Sequence, residues 1–145
     1  VFTIVIEILN LINNIAQVAV GYAGLRIFYT FLNCIIFLPT SLYCFYKGYR
    51  AVVLQQSGDR KMYFVLQTIL CILYFVFSII ENGGFNGWIR VGILFGDGHA
   101  FQGVVGIFES ILYLVSVIFG VIMIFKVKDY DGQHLNNNNT GAARV

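Results

Sequence analysis

Four apolar runs partition the 145-residue chain, at about 2–22, 27–45, 62–80 and 104–125. Each is roughly 20 residues, the length at which a helix crosses a hydrocarbon core of ~30 Å. Lipid offers no water to backbone N–H and C=O groups, so spanning segments are helices or closed barrels. The short alternating segments of a barrel are absent from the sequence. The expected fold class is an all-α integral membrane protein, a four-transmembrane-helix bundle. Polar positions inside the runs recur at steps of three and four. The first run carries Glu7, Asn10, Asn14, Gln17, Gly21 and Gly24; the second carries Arg26, Thr30, Asn33, Thr40 and Cys44, with Phe37 filling the gap. The third carries Gln67, Cys71, Tyr74, Ser78 and Glu81, and the fourth Glu109, Tyr113, Ser116 and Gly120. Such spacing holds one seam against a packed neighbour, and in lipid small and polar residues mark helix–helix contacts. Glu7, Asn10, Asn14, Gln17, Asn33, Gln67 and Glu109 are therefore expected in interhelical polar seams. Pro39 is expected to bend the second helix or open its last turn.

Charge orients the bundle. Lys47, Arg50, Arg60 and Lys61 lie between the second and third runs, and Lys126, Lys128 and Arg144 follow the fourth. The first connection holds only Arg26, and the third only Arg90, offset by Glu81 and Asp97. The positive-inside bias places the second connection, the tail and both termini in the cytosol. The third connection is glycine-rich, with Trp88 expected at the interface and an apolar stretch, 89–95, too short to span. Residues 1–128 then form the membrane domain and 129–145 a flexible polar tail with an asparagine run. The chain opens inside an apolar run at Val1, as expected of the core of a longer protein.

Composition narrows the chemistry. Hydrophobic residues make up 59% and charged residues 11%, with a mean hydropathy of +0.80, far from a soluble surface. A net charge of +2 does not argue for a nucleic-acid partner. Cys34, Cys44 and Cys71 lie in or beside apolar runs and do not read as a disulfide framework. No Cys/His cluster has metal-ligand spacing, and no nucleophile–base–orienter set is visible, so neither a metal, a cofactor nor an enzymatic activity is expected. Gly96-Asp97-Gly98-His99 reads as a surface turn. Glu7 and Glu109 are the intramembrane acids that raise a transport path. Counting from the apolar boundaries puts them about 15–20 Å apart along the normal, with no basic residue between, which favours helix–helix bonding.

The stretch from Pro39 to Arg50, Pro-Thr-Ser-Leu-Tyr-Cys-Phe-Tyr-Lys-Gly-Tyr-Arg, looks like a helix surfacing among headgroups, where aromatic rings and cations sit well. Pro39-x-Ser41-x-x-Cys44-Phe45-Tyr46 followed by Lys47-Gly48-Tyr49-Arg50 resembles the P-C-S-x-x-C-W-Y-R-P-x-Y-x-A-F-R segment of the secretory carrier membrane proteins. Gln67 stands where that family has a glutamine. Gly87-Trp88-Ile89 resembles its G-W-I after a glycine-rich turn, and Lys126-Val127-Lys128-Asp129-Tyr130 its K-V-H-x-L-Y-R. The matching positions are Pro39, Ser41, Cys44, Tyr46, Lys47, Arg50, Gly87, Trp88 and Ile89. Phe45 replaces the family's tryptophan, and the arginine-proline pair after Tyr46 is missing. The resemblance implies four spans and a non-enzymatic role in vesicle trafficking on post-Golgi and endosomal carriers. It also implies a segment between the second and third helices that meets phosphoinositide.

The expected lipid-contacting residues are Lys47, Tyr49, Arg50, Arg60 and Lys61, within a 43–61 segment lying on an anionic leaflet. The expected partners are anionic phospholipid or phosphoinositide and other membrane proteins. An accessory subunit of a larger membrane complex is the alternative reading, resting on small-residue faces at Gly103, Gly106 and Ser110 and on an unpaired Glu7. A small transporter ranks third. Cys44, at the cytosolic boundary, is a candidate for acylation as well as a small seam residue.

Overall fold

The computed structural model describes residues 2–54 and 56–142. Among them are helices α1 (Phe2–Ala19), α2 (Leu25–Val53), α3 (Ser57–Ile79), α4 (Trp88–Gly96) and α5 (Ala100–Ala142). Between α3 and α4 lies a small hairpin of β1 (Glu81–Asn82) and β2 (Phe85–Asn86). Its strands are antiparallel, Glu81 facing Asn86 and Asn82 facing Phe85. Gly83 turns the hairpin at φ +56°, a left-handed conformation in which glycine carries no Cβ penalty. The glycine-rich connection foretold a turn; a ladder this short leaves no periodic trace in the sequence.

Three helices are long and apolar enough to cross a membrane: Leu25–Val53, Ser57–Ile79 and Ala100–Asp129. The 18-residue α1 is about 27 Å long and packs between α2 and α5. α3 packs against α2 and α5, and α4 lies along α5. Large apolar side chains face outward all round the bundle, among them Ile8, Phe31, Phe45, Ile72, Phe108 and Ile118. The interior instead buries Glu7, Asn10, Asn14, Gln17, Thr30, Ser78 and Glu109. This inversion suits lipid, which rewards polar groups for finding one another and gives leucine no reason to leave.

Several boundaries differ from those drawn on hydropathy. α2 continues two turns beyond residue 45, so 43–53 is helix and only 54–56 connects it to α3; residue 55 lies outside the described residues. The 43–61 segment is thus the end of α2 and the start of α3, joined through 54–56. The chain there holds no breaker except Gly48, and ion pairs described below tie the ends together. Pro39 sits inside α2 without ending it. The next residues serve carbonyls of the preceding turn: Thr40 Oγ1 donates to Ile36 O (2.6 Å) and Ser41 Oγ to Leu38 O (3.1 Å). The helical backbone of α5 runs past residue 129, where irregular structure was expected, to Ala142; residues 143–145 of that expected tail lie outside the described residues.

The core has two textures. Between α2, α3, α5 and β2 lies an aromatic cluster of Phe37, Tyr74, Phe77, Phe85 and Tyr113, in which the Phe77 and Phe85 rings stack at 3.8 Å. Where backbones approach, glycines allow it. A Cβ on Gly48 would stand 2.8 Å from the Tyr63 ring, and one on Gly87 2.5 Å from the Ile80 carbonyl oxygen. A Cβ on Gly92 meets nothing within 4 Å. Gly87→Ala is therefore expected to destabilise by about 1–3 kcal/mol, since backbone must move. Gly92→Ala, in the interior of α4, should be neutral or stabilising by up to about 1 kcal/mol. Thermal unfolding of both variants in detergent checks the opposite signs.

Candidate functional site

Two polar regions stand at opposite ends of the bundle. At the end carrying the hairpin, Asn86 is fully buried and connects most of the others. Its Oδ1 accepts from Gln17 Nε2 (2.7 Å) and an Arg26 guanidinium nitrogen (3.0 Å). Its Nδ2 donates to Glu109 Oε2 (3.1 Å) and lies 3.5 Å from Asn10 Oδ1. Its carbonyl accepts from Ser110 Oγ (3.1 Å). Asn14 Nδ2 donates to Thr30 Oγ1 and the Gly84 carbonyl, each at 2.8 Å, and also bonds Asn10 Oδ1. Asn10 Nδ2 reaches Tyr113 Oη (3.4 Å), and Asn13 Nδ2 reaches Glu109 Oε2 (3.4 Å). The hairpin backbone is irregular and turned into the bundle, where Asn14 and Ser110 satisfy the Gly84 and Asn86 carbonyls.

Arg90 closes this end. It is 4% exposed, points inward from α4, and donates two bonds to Gln17 Oε1 (3.0 and 2.9 Å) and one to Glu81 Oε1 (2.8 Å). Its guanidinium lies 4.1 Å from the Tyr22 ring centroid, a cation–π distance. The Tyr22 phenol donates to Asp97, whose carboxylate holds that phenol's pKa above its ordinary value. Gly98, at φ +81°, turns the chain into α5 there, and the His99 ring packs edge-on to Tyr22.

These positions revise the expectations in detail. Glu7 is not unpaired: it is 2% exposed and lies 3.5 Å from the Cys34 thiol. Gly103, Gly106 and Ser110 offer no outer face. A Cβ on Gly103 would meet Phe95, one on Gly106 would meet Val91, and Ser110 bonds the hairpin. α4 and the hairpin already cover that side of α5. Glu109 is level with Asn13, so it lies only about 9 Å from Glu7 along the axis. The 15–20 Å separation fails because α1 ends at Ala19 and α5 begins at Ala100, each short of or beyond its apolar boundary. Asn33 is half-buried, and its Nδ2 makes no hydrogen bond among the described residues. Gln67 is half-buried between Cys44 Sγ (3.2 Å) and Cys71 Sγ (3.8 Å). Cys44 is 2% exposed, so its thiol faces the seam and not the lipid surface. Gly87 caps α4, while Trp88 and Ile89 are exposed on its outer side.

The residues that the periodic reading missed are Asn13, Asn86, Arg90 and Gln102. Asn13 completes a second line, Asn10-Asn13-Gln17, on the same helix face. Arg90 stands alone in an apolar stretch, which was a signal of inward pairing as well as of topology.

At the opposite end, Lys47 and Arg50 occupy one side of α2, three residues apart, and both reach Asp59 in the first turn of α3. Lys47 Nζ stands 2.6 Å from Asp59 Oδ1, and Arg50 Nε 2.9 Å from Asp59 Oδ2. Arg50 also donates to Gln56 Oε1 (2.6 Å) and Tyr46 Oη (3.3 Å). Lys47 lies 5.4 Å from the Tyr43 ring centroid, and Arg50 5.5 Å from that of Tyr46. Tyr46, Tyr49 and Lys61 are exposed, and Arg60 is half-buried. Lys126 and Lys128 are exposed at the same end. Beside it, a cavity of about 360 Å³ lies between α2, α3 and α5, lined by Ser41, Tyr63, Gln67 and Ser116 among others.

The family model described as the SCAMP family matches residues 1–134 of this chain. No curated protein and no solved structure is similar enough to register a match.

The network at Asn86 is open to measurement. Taking a bonded partner from a buried polar group costs about 1–3 kcal/mol, and Gln17, Arg26 and Glu109 each lose one in Asn86→Leu, so a loss above about 3 kcal/mol is expected. Asn14→Leu should also destabilise, and Leu11→Ala, off the polar face, should cost less than either. Unfolding in detergent decides this; a Leu11 variant as costly as Asn86→Leu would remove the network from its central place.

Proposed function

Since this chain belongs to the SCAMP family, we propose that it is a non-enzymatic membrane-trafficking protein of post-Golgi and endosomal carriers, with its basic end against an anionic cytosolic leaflet. The family match over residues 1–134 carries the reading. The geometry supports it in two ways. Much of the polar interior is engaged in bonds between helices, as a scaffold requires. Four cations, Lys47, Arg50, Arg60 and Lys61, flank a connection three residues long, with Asp59 the one acid in the 43–61 segment. Each cation near an anionic surface contributes about 1 kcal/mol of attraction, fading within a Debye length of ~8–10 Å. Exposed Tyr43, Tyr46 and Tyr49 add interfacial rings on the same turns. In this reading α1 is the fourth span, beginning on the cytosolic side.

The accessory-subunit reading loses its main supports, because α4 covers the small residues of α5 and Glu7 is buried inside the bundle.

Tagged protein in cells should fractionate with membranes and co-distribute with internalised surface cargo; uniform residence in the endoplasmic reticulum would count against the carrier assignment. A cysteine at Gly98 should react with a membrane-impermeant reagent only from the lumenal side. Reaction from the cytosol would reverse the orientation and take the basic end away from the cytosolic leaflet.

A further inference from the structure

Lys47 and Arg50 do not stand free for lipid. Their nitrogens converge on the two oxygens of one carboxylate, at 2.6 and 2.9 Å, and Asp59 is itself 8% exposed. Among the described residues, the Tyr43 and Tyr46 rings and the Gln56 amide also border this cluster. Lys47 Nζ donates a hydrogen bond to Asp59 Oδ1, whereas Arg50 Nε and Asp59 Oδ2 are close but each buried without a hydrogen bond among the described residues. A cation pair three residues apart on a helix, with one donor left unserved by the carboxylate, has the makings of an anion clamp. Arginine and lysine bind carboxylate and phosphate oxygens with the same donors. Tyr46, bonded to Arg50, restricts where the guanidinium can go.

We propose that Asp59 is an internal counter-ligand of an anion clamp formed by Lys47 and Arg50, and that the phosphate of an anionic lipid headgroup displaces it. This rests on the lipid-facing orientation proposed above and adds the regulation of that same end. With Asp59 seated, the trio carries one net positive charge. When a headgroup phosphate takes its place, both cations serve the lipid and Asp59 leaves the interface between α2 and α3. The clamp is thus closed on neutral, zwitterionic membranes and opens where anionic phosphomonoester headgroups are dense. The exchange is feasible because the Lys47 and Arg50 side chains keep 17% and 28% of their surface accessible, and a phosphomonoester brings up to two charges and three acceptor oxygens.

The test uses the whole protein in neutral phosphatidylcholine nanodiscs, titrated with a short-chain phosphatidylinositol bisphosphate and, separately, with inorganic phosphate. Asp59→Asn should bind the lipid roughly five-fold more tightly than the native chain, the equivalent of about 1 kcal/mol for one cation released. Adding Ser57→Asp to Asp59→Asn restores the net charge from an exposed neighbouring position and leaves the clamp without its carboxylate, so most of the gain should remain. Asp59→Glu should restore native affinity. Loss of the gain in the Ser57→Asp/Asp59→Asn variant would reduce the effect to net charge and overturn the counter-ligand role. So would unchanged binding in Asp59→Asn, provided that Lys47→Ala/Arg50→Ala still weakens it. If that double variant binds as well as the native chain, the lipid-facing reading of the basic end fails instead. Inorganic phosphate binding as tightly as the lipid would make the source free phosphate and refute a lipid-specific switch. Should Asp59→Asn unfold, Gln56→Ala, which frees one Arg50 bond, should raise affinity without touching the carboxylate, and no rise there would also overturn the proposal.

Discussion

Everything at the hairpin end depends on one constraint: a polar group inside a bilayer has no water to fall back on. Asn86 meets it for five neighbours at once, bonding Gln17, Arg26, Glu109, Asn10 and Ser110. These come from three helices, so one residue on a two-residue strand, through its side chain and its carbonyl, fixes where α1, α2 and α5 lie around the hairpin. The hairpin can be this short because its backbone partners are supplied by Asn14 and Ser110 and not by further strands. Glycines at 84 and 87 complete the fit, since a Cβ at either would press on backbone of α2 or of the α3 end. The polar hub and the missing methyl groups are therefore one device.

Much of this was legible in the spacing of polar residues. Glu7, Asn10, Asn14 and Gln17 form a single line, and all four are buried. Thr30, Cys71, Tyr74, Ser78, Glu109 and Tyr113 lie on comparable lines on their own helices and are also buried. Periodicity works here because a helix that shows polar groups on one face can hide them only by packing that face. It fails for Asn86, which belongs to no period, and for Asn13, whose neighbour Asn14 already claimed the line. It also fails at helix ends. Hydropathy stops α2 at residue 45 because Tyr46, Lys47 and Arg50 are polar, yet Gly48 alone is too little to break the helix, and pairing with Asp59 lets the backbone run on to Val53.

The two ends of the bundle use charge differently. Arg90 is buried and spends its donors on Gln17 and Glu81, so its role is internal. Lys47 and Arg50 are partly exposed and share one carboxylate, which a headgroup phosphate replaces in the proposed exchange. The first arrangement is costly to disturb, because removing a partner leaves a charge in low dielectric. The second is the contact that the proposed exchange would release.

The hydrogen bonds from Asn10 to Tyr113 and from Asn13 to Glu109 span 103 and 96 residues of sequence. During synthesis α1 is complete long before its partners on α5 exist. At roughly 5–20 residues per second, about 5–20 s separate the appearance of Asn13 from that of Glu109. For that interval the row of asparagines on α1 waits in the ribosome-associated membrane without its final partners. The interval makes biogenesis, and not the finished bundle, the stage at which this protein is most exposed to quality control. Substitutions that leave the mature fold tolerable can still fail there, by lengthening the wait or by giving the early helix a wrong partner.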